Sequence, residues 1–223
     1  MATAHPGDVI KMADGEYRGE AFTTVSGTAR RPITLIGSRR AVIVNDRFEQ
    51  PTTPCPSGHT GYGGAITGRA GGPDASNRIR VIGNRFGPNI AAEHIDIKEG
   101  TVDGQVIGNV FDGRGLTGKN SGDSWVDAKG SHYLFLGNLG SYQPSPSSVF
   151  RDGYETHEQY DLGYGCGNVF RGNVSHLAGV GGYAVNVTNQ AQCGDNPNVV
   201  YDSNLVFGAV SGLTNIPVTP ERR

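Results

Sequence analysis

One short pattern recurs along most of the chain and limits the folds that it can adopt. Each copy is an apolar run interrupted by a small turn residue and an asparagine. The copies are IRVIGNRF (79–86), GQVIGNVF (104–111), YLFLGNLG (133–140), NVFRGNVS (168–175) and VVYDSNLV (199–206). Their asparagines are 25, 29, 35 and 31 residues apart, a spacing typical of stacked repeats. No 3.6-residue apolar stripe lies between the copies, so the repeats are predicted to be β-strands.

A second series of strands accompanies the first. The segments HIDIK, WVDAK, GYETH and AVNVT align on Asp96, Asp127, Glu155 and Asn186, which are 31, 28 and 31 residues apart. In a parallel β-helix each coil lays its strands over those of the coil before, roughly 4.8 Å away. Stacked asparagines can then hydrogen-bond along the column. The two series therefore predict an all-β solenoid with an asparagine ladder.

Composition agrees with this fold and limits the classes of molecule that the chain is expected to bind. The chain has 35 glycines, which suits many tight turns, and its length of 223 residues suits one domain. We expect a single domain over 1–223, with a cap and first coil in 1–45 and regular coils in 78–210. The formal charge of −2 provides no net positive charge that would attract nucleic acid or an anionic membrane. We expect a monomer that binds neither.

Two cysteines test the repeat. Cys166 and Cys193 open the similar segments CGNVF and CGDNPNVV on consecutive repeats. On neighbouring coils their Cα atoms would lie within the roughly 4.4–6.8 Å that a disulfide spans, and a disulfide favours an oxidising compartment. Two stacked free thiols are the alternative, and Cys55 has no assigned role. We expect an extracellular protein whose export signal has been removed, because the first residues lack an apolar core.

The N-terminal region resembles a known group of proteins. The segments HPGDVIKMADGEYRG (5–19) and SGTARRPITLIGSRRAVI (26–43) look like the start of secreted right-handed parallel β-helix proteins of the pectate-lyase-like superfamily. The later strands resemble the same group. The resemblance implies a single-stranded right-handed parallel β-helix with the pectin-lyase-like fold, and a carbohydrate-active protein. Segment 61–77 looks short for this group, as if some coils were absent.

Within that superfamily the chain is similar to the alginate and dermatan lyases. There a Glu stands five residues before a catalytic Lys and helps to hold calcium, and Glu93 and Lys98 have this spacing. The resemblance implies a calcium ion as a candidate cofactor. Ala91 stands where a second acid is expected, and Lys129 where an arginine is expected, so the two-base mechanism is open.

The second strand series defines a grid of side chains on one outer face. By alternation, its columns contain His94 and Trp125, then Asp96, Asp127, Glu155 and Asn186, then Lys98, Lys129 and His157. Carboxylates about 5 Å apart repel by about 3 kcal/mol at an effective dielectric of 20. The repulsion can be offset by the lysines, by Ca²⁺ on Glu93, Asp96 and Asp127, or by a proton kept on one acid.

The resemblance, together with the grid, implies a secreted polysaccharide lyase that acts by β-elimination on an acidic, uronate-containing polysaccharide. Lys98, with Lys129 as second choice, would be a base of lowered pKa; Asp96, Asp127, Glu155 and His157 would complete the catalytic site; Trp125, His94 and Asn186 would bind the sugar. Three alternatives stay open: a glycoside hydrolase that uses the stacked carboxylates, a non-catalytic carbohydrate-binding or surface protein, and a set of structural salt bridges.

Overall fold

The repeats form parallel β-sheets. A computed structural model of the chain describes residues 4–18, 21–22, 26–38, 41–44, 66–67, 77–117, 122–142, 150–158, 163–179 and 182–222. Over these residues the strands form three sheets of seven strands each, and every neighbouring pair within a sheet is parallel and one repeat apart. The all-β, β-helix-like architecture is therefore confirmed. Cys55 and nearly all of segment 61–77 lie outside the described residues.

The strands are numbered in chain order and visit the three sheets in turn. Sheet A contains β1 (Val9–Met12), β4 (Ile33–Gly37), β7 (Ile79–Ile82), β10 (Gln105–Ile107), β13 (Leu134–Leu136), β16 (Val169–Arg171) and β19 (Val199–Val200). Sheet B contains β2 (Gly15–Arg18), β5 (Ala41–Val44), β8 (Arg85–Phe86), β11 (Val110–Asp112), β14 (Leu139–Ser141), β17 (Val174–His176) and β20 (Leu205–Phe207). Sheet C contains β3 (Ala21–Phe22), β6 (Ile66–Thr67), β9 (Ile95–Ile97), β12 (Val126–Ala128), β15 (Tyr154–Thr156), β18 (Tyr183–Val187) and β21 (Gly212–Thr214). A short 3₁₀ helix spans Gln190–Cys193.

Each copy of the first pattern gives two strands rather than one. The bend from sheet A to sheet B falls at the glycine before the asparagine, where Gly108 and Gly137 have φ of 61° and 62°. This left-handed conformation is inexpensive for glycine, which has no Cβ. The glycine–asparagine pair therefore marks a corner of the coil.

The asparagines at this corner form the predicted ladder. The Nδ2 atoms of Asn84, Asn109, Asn138 and Asn173 each donate to the Oδ1 of the next asparagine, at 2.9–3.1 Å, and the column ends at Asn204. All five side chains are buried. Each Oδ1 from Asn109 onward also accepts the backbone N–H of the asparagine before it, so the ladder satisfies backbone groups that the bend removes from the sheets.

Apolar residues from all three sheets fill the interior. Aromatic rings stack along the coils, as Phe86 does on Phe111 with centroids 5.4 Å apart and Phe135 on Phe170 at 4.6 Å. The inward residues predicted for sheet C are buried; they are Ile95, Ile97, Val126, Ala128, Tyr154, Thr156, Val185 and Val187. The register that places them there also fixes the opposite face of the sheet.

A disulfide joins Cys166 and Cys193, whose Cα atoms are 5.5 Å apart. The prediction from the repeat is therefore confirmed over the alternative of free thiols. Among the described residues there is no helix with the length and apolar character needed to span a membrane.

Candidate functional site

The outer face of sheet C brings the predicted acids into one row. Asp96 on β9 is the register partner of Asp127 on β12, which is the partner of Glu155 on β15, and Asn186 on β18 follows. Neighbouring parallel strands are about 4.8 Å apart, so the carboxyl groups of adjacent members lie close together. The predicted register of this column is confirmed.

Two lysines and a histidine stand just beyond the strand ends and contact this row. Lys98 Nζ lies 2.5 Å from Asp96 Oδ2, and Lys129 Nζ contacts Asp127 and also Asp96 Oδ1, at 3.4 Å. His157 Nδ1 is 2.8 Å from Asp127 Oδ1. Asp127 therefore holds a cation on one oxygen and an imidazole on the other.

These contacts set the charges of Asp127 and Lys129. Burial acts to raise the pKa of Asp127, but Lys129 and His157 outweigh it and hold that pKa well below its usual range. Burial acts to lower the pKa of Lys129, but Asp96 and Asp127 outweigh it and raise that pKa above its usual range. The lowered lysine pKa expected for a base is therefore wrong for Lys129, which keeps its charge.

Two glutamates of the site have raised pKa values, in contrast to Asp127. Burial, followed by the charges of Asp96 and Asp127, raises the pKa of Glu93 to about 8. Burial also raises the pKa of Glu155 to about 9, helped by a hydrogen bond with Asp152 and by neighbouring negative charges. Both carboxyl groups are neutral at pH 7, so the site contains proton donors beside an ionised aspartate.

Residues before the strands extend the site in a way that alternation did not predict. Asp152 accepts from the backbone N–H of Tyr183 and, at 3.1 Å, from Asn186 Nδ2, which is also 3.4 Å from Glu155 Oε1. Asp123 pairs with Arg151. The signal available in the sequence was their position two or three residues before β15 and β12, where a coil turns onto sheet C.

The site is closed except at one edge. The side chains of Asp96, Asp127 and Glu155 are at most 8% exposed and that of Lys98 is 10% exposed, whereas those of Lys129 and His157 are 19% and 37% exposed. His157 Nε2 lies 3.8 Å from Glu155 Oε2. A ligand that approaches from solvent would therefore meet His157 and Lys129 first.

Comparison with solved structures finds a match over nearly the whole chain. A solved structure that matches is the crystal structure of an alginate lyase from Paenibacillus sp. str. FPU-7. The two chains are 25% identical, with a TM-score of 0.58, and the match covers 95% of this chain and 92% of that one. No family model matches the chain, and no curated protein matches it. The structural neighbour is a polysaccharide lyase of similar length.

The predicted first column of the grid is wrong. His94 and Trp125 are fully buried and point into the core, where Trp125 packs on Phe111, Phe150 and Tyr154 with centroids 5.1–6.4 Å apart. Burial lowers the pKa of His94 to about 3, so its ring is neutral. Neither side chain can stack on a sugar at the surface.

The reason for this error lies in the backbone before the strands. The N–H groups of His94 and Ile95 both donate to the carbonyl of Trp125, at 3.0 and 3.2 Å, and those of Trp125 and Val126 both donate to Gly153. Two consecutive residues opposite one partner break the alternation, as in a β-bulge. The bend turns residues 94 and 125 inward together with their neighbours.

Two of the three predicted calcium ligands Glu93, Asp96 and Asp127 are committed to other contacts. Asp96 faces both lysines, and Asp127 faces Lys129 and His157. Over the described residues, no group of three or more His, Cys, Asp or Glu side chains is arranged to hold a metal ion. Because Ca²⁺ needs several free oxygen ligands, this set does not fit it as arranged.

Proposed function

We propose that this chain is a secreted polysaccharide lyase, a single-stranded right-handed parallel β-helix that cleaves an acidic, uronate-containing polysaccharide by β-elimination. The observation that carries the proposal is the triad on sheet C: Asp127 at one nitrogen of His157, and neutral Glu155 at 3.8 Å from the other. The matching alginate lyase structure supports the same reaction class.

β-Elimination has three requirements, and the exposed edge supplies a group for each. The proton beside the uronate carboxylate must be removed, the negative charge that develops on that carboxylate must be stabilised, and the leaving oxygen must be protonated. A charged Lys129 would pair with the carboxylate and so acidify the neighbouring C–H bond. His157 Nε2 would accept the proton, since Asp127 holds Nδ1 and stabilises the imidazolium that forms.

The remaining steps close the cycle. As the C–H bond breaks, its electron pair forms the new carbon–carbon double bond, and the bond to the glycosidic oxygen breaks. Glu155, which is neutral at pH 7, would give its proton to that oxygen. The protonated His157 and the ionised Glu155 are then neighbours, and transfer of the proton between them restores the starting state.

This assignment moves the base from Lys98 to His157. Lys98 lies against Asp96 and its side chain is largely covered, so we assign it to neutralising Asp96 beneath the exposed edge. Asp127 acts as a positioning residue, because it acts through His157 and Lys129.

A pair of matched variants tests the base. His157→Gln keeps a polar side chain but removes the base, and elimination should fall by about 10²–10⁴-fold with the melting temperature little changed. Lys98→Met should reduce activity less, mainly through stability. If Lys98→Met abolishes the absorbance of the unsaturated product while His157→Gln retains it, Lys98 is the base and the proposed assignment is wrong.

The hydrolase alternative is favoured by one observation. Asp127 is ionised and Glu155 is protonated on adjacent strands, and a split of this kind is how paired carboxylates act in glycoside hydrolysis. A hydrolase would generate reducing ends without a double bond, so its products distinguish it from a lyase.

A further inference from the structure

We propose that a cavity on sheet A is a second glycan-binding site, which binds the carboxylate and a neighbouring hydroxyl of an acidic sugar. The cavity lies at the corner where the chain passes from sheet C to sheet A. The cavity has a volume of about 380 Å³ and lies between residues 28–32 and the starts of β7 and β10. This volume is in the range of small-molecule sites. Arg80 and Gln105 are the two lining residues that carry the inference.

Arg80 is a cation for which the described residues provide no counter-charge. Within the part of the chain that the structure describes, it makes no ion pair, and its buried Nε atom has no hydrogen-bond partner. Buried polar atoms in proteins are nearly always hydrogen-bonded, so an unpartnered guanidinium donor calls for a ligand. A planar carboxylate is the group that Arg matches best, through two parallel hydrogen bonds.

Gln105 supplies the complementary group. It is the register partner of Arg80 on the neighbouring strand, and its buried Oε1 likewise has no partner among the described residues. A ligand that satisfies both side chains must present an acceptor to Arg80 and a donor to Gln105. A carboxylate with a hydroxyl close by, as in a uronate, does both.

The other charges around the cavity are already paired. Arg78 lies 3.1 Å from Asp103 Oδ2, and His132 Nδ1 is 3.6 Å from Asp103 Oδ1. Arg78, Asp103 and His132 occupy the same left-handed corner of successive coils, with φ of 59–61°. Asp103 is thereby held by its two neighbours, and the positive charge of Arg80 remains for a ligand.

The choice of an acidic sugar rests on the proposed function, whereas the unpaired donor and acceptor do not. The cavity is also close along the chain to the exposed edge of the site on sheet C, because Asp103 comes five positions after Lys98. It lies on a different sheet from the Asp127–His157 pair, so the two sites can be followed separately.

The experiment is a titration of the isotope-labelled protein followed by backbone amide NMR. The probes are D-glucuronate, glucose as the uncharged sugar, and acetate as the carboxylate without a hydroxyl. We expect saturable shifts at residues 78–80 and 103–105 with glucuronate, at least about tenfold tighter than with glucose or acetate. No saturable shift at these residues, or equal affinity for acetate, would overturn the proposal.

Two variants make the test specific. Arg80→Gln removes the cation, and Gln105→Glu places a carboxylate beside Arg80 that should pair with it and exclude the ligand; each should weaken glucuronate binding by at least about tenfold. Gln105→Glu should not lower the melting temperature, since it gives Arg80 a partner. Unchanged glucuronate binding in a folded Gln105→Glu protein would contradict the proposal.

The result for this cavity can be distinguished from the result for the proposed lyase activity. His157→Gln should leave the shifts at residues 78–80 and 103–105 intact. If glucuronate binds at the cavity but no polysaccharide is cleaved, the lyase assignment fails and this site stands. If cleavage occurs and the cavity does not respond, the second site is refuted and the lyase assignment stands.

Discussion

Removal of a side chain from the middle of the asparagine ladder should destabilise the fold strongly. Asn138 accepts from the N–H and Nδ2 of Asn109 and donates to the Val106 carbonyl and to Asn173 Oδ1, all at 2.9–3.0 Å. Asn138→Ala leaves the buried N–H of Asn109 without this acceptor, at about 1–3 kcal/mol, and loses three further bonds at about 0.5–1.5 kcal/mol each. The expected loss is about 2.5–7.5 kcal/mol, a large share of the roughly 5–15 kcal/mol that stabilises a typical domain.

The ladder's first described member provides the matched control. Asn84 Oδ1 accepts no hydrogen bond among the described residues, so Asn84→Ala leaves none of their backbone amides unpaired and should cost clearly less. Urea unfolding followed by circular dichroism measures both variants, with stability compared at unchanged slope. Equal destabilisation of the two variants, or a loss below about 1 kcal/mol for Asn138→Ala, would refute the role given to the ladder.

Three other perturbations have defined outcomes. The pKa of Glu155 is raised to about 9 in the folded protein, so the folded protein keeps this proton at pH values where the unfolded chain loses it. The contribution of Glu155 to stability is therefore present at pH 4 and is lost as the pH rises toward 9. Glu155→Gln should therefore match the wild type at pH 4 and be more stable at pH 9 by thermal unfolding; equal pH slopes would contradict the raised pKa. Replacing Cys166 and Cys193 by alanine opens a loop of 27 residues and should cost about 3 kcal/mol in urea unfolding, whereas no loss under non-reducing conditions would argue against the bond. Trp125→Ala should cost about 3–5 kcal/mol as a core truncation, and a fully stable variant with impaired glycan binding would restore the surface role.

The sequence was most informative where the repeat imposes a constraint on every coil. Asn109 and Asn138 recur because each corner needs the same hydrogen bonds, so their period revealed the coils. Once the period is known, the partners of Asp127 and the neighbouring positions of Cys166 and Cys193 follow from counting, and the structure shows the disulfide between the two cysteines. Features of this kind depend on the spacing of residues and not on how individual side chains turn.

Sequence reasoning was least informative at the ends of the strands, where the chain leaves regular geometry. Trp125 belongs to the bend before β12, and its indole occupies the space that a side chain at Gly140 would fill, because a Cβ there would lie 2.2 Å from Trp125 Cζ2. Asp152 was missed because it lies in the turn before β15 and not on the strand itself. The charge states of Lys129 and Glu155 depend on burial and neighbouring charges in three dimensions, which alternation along one strand does not contain.

The most direct test of the lyase assignment is incubation of the purified protein with pectate, alginate, glucuronan and glycosaminoglycans, each with calcium and with chelator. Ultraviolet absorbance reports the new double bond, and a reducing-end assay reports every cleavage. We predict that both signals rise together on an acidic polysaccharide, with calcium and with chelator alike. Reducing ends without absorbance would contradict β-elimination and favour the hydrolase, whereas glycan binding with neither signal would indicate a non-catalytic protein.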